Sequence, residues 1–253
     1  MIRLLSYNIR FGGLGREAEI LAAIRAASPD VVIFQEATRP GVIASLAGSM
    51  GMKAWDASPR HSVGFMSRLE VSQHSWHRPP GSRRAFLELV LADSGMRIYG
   101  IHLTPVHNNW TEGWRARELK AVLAAVAQKP VGFHLLTGDF NTLAPNETFD
   151  IRRLPPRLRL LAWIGGRTLR WKTIQIMLDA EYVDGYRRLH PDDPGHTFPT
   201  WDPHVRLDYL FVPKAAIDRL RSCVVLDGPQ VVAASDHFPL LAELDADDAP
   251  ARA

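Results

Sequence analysis

Cysteine is almost missing from this chain of 253 residues: Cys223 stands alone. One thiol cannot form an internal disulfide, and a zinc site built from several cysteines is excluded. Long apolar runs are missing as well. No uncharged stretch approaches the ~20 residues a membrane-spanning helix needs. The N-terminus, Met1-Ile2-Arg3-Leu4-Leu5-Ser6-Tyr7-Asn8, lacks the basic region and long apolar core of a signal peptide. These absences give a cytoplasmic location as the expectation. Internal repeats and linker-like stretches are absent too, so one domain is expected over residues 1–244, followed by a flexible acidic tail at 245–253. Acidic residues are absent from 151–178, a stretch with seven positive charges. Seven exceeds the net +3 of the whole chain, so the rest is acidic overall and the basic character is local. A local basic stripe points to an anionic partner, either nucleic acid or a membrane surface.

What is present fits a globular chain, with 46% hydrophobic and 23% charged residues. Dense apolar runs predict buried strands at Ile2–Ile9, Val31–Phe34 and Phe133–Thr137. Further strands are expected at Val63–Ser67, Ala85–Leu91, Arg97–Leu103, Leu207–Val212, Val224–Leu226 and Leu240–Leu244, separated by Pro, Gly and Ser turns. Helical spacing predicts helices at Glu17–Ala27, Pro40–Met50 and Glu112–Ala127. Many strands with few long helices suggest stacked sheets with helices outside, although periodicity alone leaves a three-layer α/β fold open.

Polar residues recur where the apolar runs end. Asn8 follows the first run, Gln35-Glu36 the second, His102 the strand ending at Ile101, and Asp139 and Asn141 the strand ending at Gly138. Asp208 opens Leu207-Asp208-Tyr209, and Ser235-Asp236-His237 precedes the last strand. A charge beside an apolar run is costly unless it is paired or holds a metal. Read singly, each residue has a plain alternative. Asn8 and His102 suit strand-end hydrogen bonds, Asp139 and Asn141 suit a turn, and Asp208 suits a surface ion pair with Arg206.

In this order, Tyr-Asn-Ile, Gln-Glu, Ile-His-Leu, Gly-Asp-Phe-Asn, Arg-Leu-Asp-Tyr and Ser-Asp-His resemble the endonuclease/exonuclease/phosphatase (DNase I-like) superfamily over residues 2 to about 244. The resemblance implies an α/β fold, a four-layer α/β/β/α sandwich of two packed mixed sheets flanked by helices. It implies a divalent-metal-dependent phosphodiesterase with Mg²⁺ or Mn²⁺ held by Glu36, Asp236 and Asn8. Asp139 would then deprotonate the attacking water, Asn141 and His102 would hold phosphate oxygens, and His237, charged by Asp208, would contact the scissile phosphate. Competing metal phosphoesterases lack their signatures here. The only Asp-x-His is Asp202-Pro203-His204, late in the chain, and no His-x-His-x-Asp-His run exists.

The resemblance leaves the substrate open. The exonuclease III-like pattern carries Thr and Lys after Gln-Glu, where Ala37-Thr38 stands here. The basic stretch reads as a helical insertion at about 148–178. Pro155-Pro156 would start one helix, and Trp171, Ile174, Met177 and Leu178 would form the inner face of another. Arg157, Arg159, Arg167 and Arg170 with Trp163 and Trp171 suit phosphate contact and base stacking, and equally an anionic membrane surface. A nuclease acting on DNA is the leading reading and a lipid or small-molecule phosphohydrolase the second. A monomer is expected.

Overall fold

The structure, a computed structural model, describes residues 1–105, 109–130, 132–145, 147 and 171–245. In chain order its strands and helices are β1 (Ile2–Asn8), α1 (Glu17–Ala27), β2 (Val31–Gln35), α2 (Pro40–Met50), β3 (Ala54–Asp56), β4 (Val63–Ser67), β5 (Val71–His77), β6 (Phe86–Leu91), β7 (Arg97–His102), α3 (Asn109–Val126), β8 (His134–Asp139), α4 (Thr173–Asp179), β9 (Tyr182–Asp184), α5 (Gly185–Leu189), β10 (Asp208–Pro213), β11 (Leu220–Val225), α6 (Pro229–Ala234) and β12 (Leu240–Leu244).

Two six-stranded sheets result, ordered β11-β12-β1-β2-β4-β3 and β5-β6-β7-β8-β10-β9. Each has one parallel pair near its centre, β1 with β2 and β7 with β8, and all other pairings are antiparallel. Each parallel pair is joined by a helix, α1 or α3, as a parallel crossover requires. The two sheets therefore repeat one topology.

Strand alternation builds the layers. Leu4, Val31, Ile33 and Phe65 of the first sheet pack against Leu89, Ile98, Leu135 and Leu210 of the second. On the other face of the first sheet, Leu5, Tyr7, Val32 and Phe34 meet Ile20 and Ile24 of α1 and Ile43 and Leu46 of α2. Behind the second sheet, Tyr99, Leu136 and Phe211 meet Leu119 and Val122 of α3 and Ile174 and Met177 of α4. This is the four-layer α/β/β/α sandwich. Each fully buried aliphatic side chain contributes roughly 1.5–3 kcal/mol. Among the described residues no helix is long and apolar enough to cross a membrane.

The differences from expectation lie at edges. β3, β5 and β9 carry no clean apolar alternation, because edge strands are only half covered; β5 has no fully buried residue. β11 begins at Leu220 rather than Val224, since Leu220 and Cys223 face β12 at Leu244 and Ala242. Of the expected basic hairpin, 148–170 lies outside the described residues, and with it Arg157, Arg159, Trp163, Arg167 and Arg170. The second helix exists as α4, but Leu178 points outward and Trp171 precedes the helix, half-buried against Leu143, Val205 and Leu207.

Candidate active site

Alternation also explains why the polar residues meet. Ile2 and Leu4 of β1 face the second sheet while Leu5 and Tyr7 face the helices, so Asn8 continues the inner face. Backbone register sets Asn8 beside Gln35, His102 beside Asp139, and Asp139 beside Asp208. The inner face thus changes from aliphatic to polar at the carboxyl ends of both parallel pairs, where open α/β sheets place their ligands. Gly138 permits this approach. Its φ is 142°, and a Cβ there would lie 1.9 Å from the carbonyl oxygen of Ile101.

Asp139 is the hub. Its Oδ2 accepts from Asn8 Nδ2 at 3.1 Å across the sandwich, and its Oδ1 accepts from the Asn141 backbone N–H at 2.8 Å. Two histidines face the same Oδ2 from farther off, His102 Nε2 at 3.8 Å and His237 Nε2 at 4.0 Å. Both distances exceed hydrogen-bond length, so neither N–H is spent on Asp139. Burial pushes the Asp139 carboxyl up to about 7; His237 pulls it down and Asp208 pushes it up.

The two histidines differ. Burial alone would depress His237, but Asp208, whose Oδ2 sits 2.9 Å from Nδ1, lifts it to about 10. His237 is therefore an imidazolium at neutral pH, with Nε2–H aimed at the Asp139 side. His102 is held well below the ordinary range, first by burial and then by the charges of Arg84 and His237. Arg84 can only donate, so its contact with Nδ1 at 3.4 Å leaves the His102 proton on Nε2. One charged and one neutral ring thus present N–H donors to one spot.

Asp208 does not pair with Arg206. The Arg206 guanidinium is buried among Glu147 and Asp184, and it covers the ring of Tyr209 at 4.3 Å. Asn141 donates its amide to the carbonyl of Leu103 at 3.2 Å, so it shapes the turn that orients Asp139 as well as edging the site.

The rim carries Glu36, Arg10 and Asp236. Glu36 Oε2 accepts from the Phe11 backbone N–H at 2.5 Å, Asn8 Oδ1 from the Arg10 N–H at 3.0 Å, and Arg10 Nε lies 3.2 Å from Asp236 Oδ2. Ser235 Oγ donates to the carbonyl of Asn8, fixing the Ser-Asp-His turn to β1 at 2.6 Å. Arg10, Phe11, Glu36 and Asn141 all have positive φ, between 48° and 58°. Such backbone is uncommon outside glycine and clusters at working sites. The donors at this rim are carboxylate and amide oxygens, with no sulfur, which fits a hard cation such as Mg²⁺ or Mn²⁺. Among the described residues no three His, Cys, Asp or Glu side chains form a closed cage. A magnesium-type site does not require one, since it takes one or two carboxylates and fills the remainder with water and phosphate.

The profile of the endonuclease/exonuclease/phosphatase family matches residues 5–237. The chain belongs to this family. Its members hydrolyse phosphoester bonds, and this chain is a hydrolase of that class. No curated protein sequence matches. Among solved structures, a Neisseria 3′ phosphatase bound to a product DNA hairpin superposes with a TM-score of 0.71 at 18% identity, covering 97% of this chain and 100% of that one. An AP endonuclease from Archaeoglobus fulgidus gives 0.71 at 19% identity, with 97% and 100% covered. A 3′-5′ exonuclease from Neisseria meningitidis gives 0.70 at 19%, with 96% and 100% covered. At these identities the likeness establishes the shared fold.

The eight residues singled out at strand ends lie at this one end of the sandwich. The sequence reading missed Arg10 and Arg84, whose only signals were a cation after Asn8 and an Arg-Arg pair opening a strand. It also missed the exposure of Phe11 (73%), Trp110 (83%) and Trp201 (64%). Phe11 bonds to Glu36, Trp201 follows Thr200, which bonds to Ser235 and Asp236, and Trp110 begins the helix after β7.

Proposed function

We propose that the protein is a Mg²⁺- or Mn²⁺-dependent phosphodiesterase that cleaves nucleic acid, with DNA as the substrate. The observation that carries this is the Asp139 carboxylate, fixed by Asn8 and Asn141, facing two imidazole N–H donors across gaps of 3.8 and 4.0 Å. A phosphoryl group there would accept hydrogen bonds from His102 and His237. Asp139 would take the proton of a water attacking phosphorus in line, opposite the leaving oxygen. The positive charge of His237, held by Asp208, would offset the charge that builds on the phosphoryl oxygens. Glu36, Asp236 and Asn8 would hold the cation, which when bound supplies Lewis-acid polarisation of a phosphoryl oxygen.

Nucleic acid is favoured by the exposed aromatics Phe11, Trp110 and Trp201 around this end, since bases stack on such rings. Relatives of the same fold, a 3′ phosphatase carrying a DNA hairpin and an AP endonuclease, point the same way. The test is a panel of plasmid, single-stranded DNA, abasic duplex, RNA, sphingomyelin and inositol phosphates with Mg²⁺ or Mn²⁺. Hydrolysis of DNA that stops in EDTA and returns with the cation is expected. Full activity in EDTA, or turnover confined to the lipid or inositol phosphates, sinks the proposal.

A further inference from the structure

Beside the hydrolytic residues lies an open cavity of about 420 Å³ whose lining includes Arg60, His61, Arg78, Arg83, Arg84 and Thr104 and, among the described residues, no carboxylate. It borders the catalytic cluster, because Arg84 lines it and also touches His102 at 3.4 Å. Thr104 lies two residues beyond His102. Among the described residues none of the four guanidinium groups is paired with an acid. Elsewhere the chain pairs its arginines readily, as with Arg3 and Glu243 or Arg221 and Asp245.

The cavity is also braced. The Arg83 guanidinium lies over Trp114, 3.6 Å from the ring centroid, and the Arg83 backbone N–H donates to Glu118. Both Glu118 oxygens are occupied by that bond and by Thr104. His61 stacks on Trp76 at 5.1 Å, and its buried Nδ1 has no hydrogen-bond partner among the described residues. Burial, then the charges of Arg78 and Arg60, hold its pKa down, which registers the positive field here. Four arginines lining one cavity repel one another unless an anion joins them. Arginine forks match the oxygens of phosphate, and a cavity within the ~300–1,000 Å³ of small-ligand sites admits a phosphate with its sugar.

We propose that this cavity is a second phosphate subsite, holding a backbone phosphate of the nucleic-acid chain next to the one that is cleaved. This rests on the nuclease reading above and deepens it. The hydrolytic site would then select substrates with at least two phosphates in sequence, and a lone diester would gain nothing from the cavity.

Arg60 and Arg78 are exposed and touch no catalytic group, so Arg60→Gln with Arg78→Gln in the full chain tests the subsite. Three substrates are compared with Mn²⁺: a single-phosphate chromogenic diester, a short single-stranded oligonucleotide, and that oligonucleotide with one flanking phosphate replaced by neutral methylphosphonate. Roughly 10–100-fold loss of kcat/KM on the oligonucleotide is expected, the cost of charge-assisted hydrogen bonds, with the chromogenic diester unchanged within about twofold. The methylphosphonate should cost the parent a similar factor and the variant almost nothing further, since the two changes remove one contact. Equal losses on both diesters, no loss, or additive losses would overturn the subsite. A binding titration in EDTA, with the same oligonucleotide and with an inositol polyphosphate, separates this failure from that of the nuclease reading. Parent-only binding of the oligonucleotide supports the subsite even if no diester is hydrolysed. Preference for the inositol polyphosphate overturns the assignment to a chain phosphate.

Discussion

Asp139 occupies a position where burial and a hydrogen-bonded backbone pull in opposite directions, and that balance suits a base working near neutrality. Two donors orient it, so Asp139→Asn keeps the shape and removes the proton acceptor. A loss of about 10²–10⁴-fold in kcat is expected, with the fold and oligonucleotide binding retained; a variant keeping a tenth of the parent rate would contradict the role. Asp208 works through His237. Its carboxylate raises the ring against the effect of burial, so the imidazolium persists until the pH passes about 10. In Asp208→Asn that support is lost and the ring gives up its proton at lower pH. The alkaline limb of the kcat/KM profile should shift toward acid, and the His237 ring nitrogens should follow it in an NMR titration; an unmoved profile refutes the coupling. Asn8, Asp139 and His237 were legible in the sequence because each sits inside an ordered set of short motifs. Arg84 was not, because an arginine pair ahead of a strand fits a solvated surface as well as a site. Asp208 invited the wrong partner: Arg206 is two residues away, but it precedes β10 and its guanidinium is held by Glu147 and Asp184, while Asp208 bonds to His237.

At the level of elements, the chain return from β8 to β9 depends on one carboxylate. Glu112, in the first turn of α3, is buried and accepts from the backbone N–H groups of Lys172 and Thr173 at 2.7 and 2.8 Å, capping α4. The same group takes the hydroxyls of Thr142 and Thr173 and the guanidinium of Arg115, which is fully buried. Burial would raise its pKa, but Arg115 and these donors outweigh it and hold it below the usual carboxylate value. A depressed carboxylate stabilises the fold above its unfolded pKa, and that stability is lost as pH falls through the folded value. Glu112→Ala should destabilise by about 3–5 kcal/mol, since Arg115 loses its carboxylate partner. Glu112→Gln should flatten the acid side of a Tm-against-pH plot. A parent-like Tm in Glu112→Ala would show that the start of α4 is held by something else. None of this tie was visible in the sequence, because Glu112 and Lys172 are 60 residues apart and neither belongs to a motif. Central strands and long helices were legible through their apolar periods. Edge strands were not, because half-covered β-structure need not alternate, and α6 was hidden because Gly228-Pro229 reads as a turn although proline suits the first turn of a helix.

For the whole molecule, charge and shape have to be considered together. The family fold brings the eight strand-end polar residues, the arginine-lined cavity and three exposed aromatic rings to one end, while the densest basic stretch of the chain falls at 151–178. The structure reduces the role of Trp171, which is half-buried against Leu143, Val205 and Leu207, and leaves Trp163 as the aromatic reporter for that stretch. If Arg157, Arg159, Arg167 and Arg170 each neutralise one backbone phosphate, single-strand binding should weaken with log salt at a slope of about −3, and replacing all four with glutamine should bring their share of that slope toward zero. The cavity predicts a separate share. Arg60→Gln with Arg78→Gln should flatten the slope by about 1 when one phosphate is released. The two sets occupy different stretches of chain, so their effects on the slope should add, while a methylphosphonate beside the scissile bond should cost the parent and the four-arginine variant and leave the cavity variant almost unaffected. Binding isotherms at four or five salt concentrations for parent, both variants and their combination give every term. If the stretch at 151–178 instead lies on membranes, the four-arginine variant keeps the parent slope on DNA but loses anionic vesicles, and Trp163 emission shifts blue on vesicles in the parent alone.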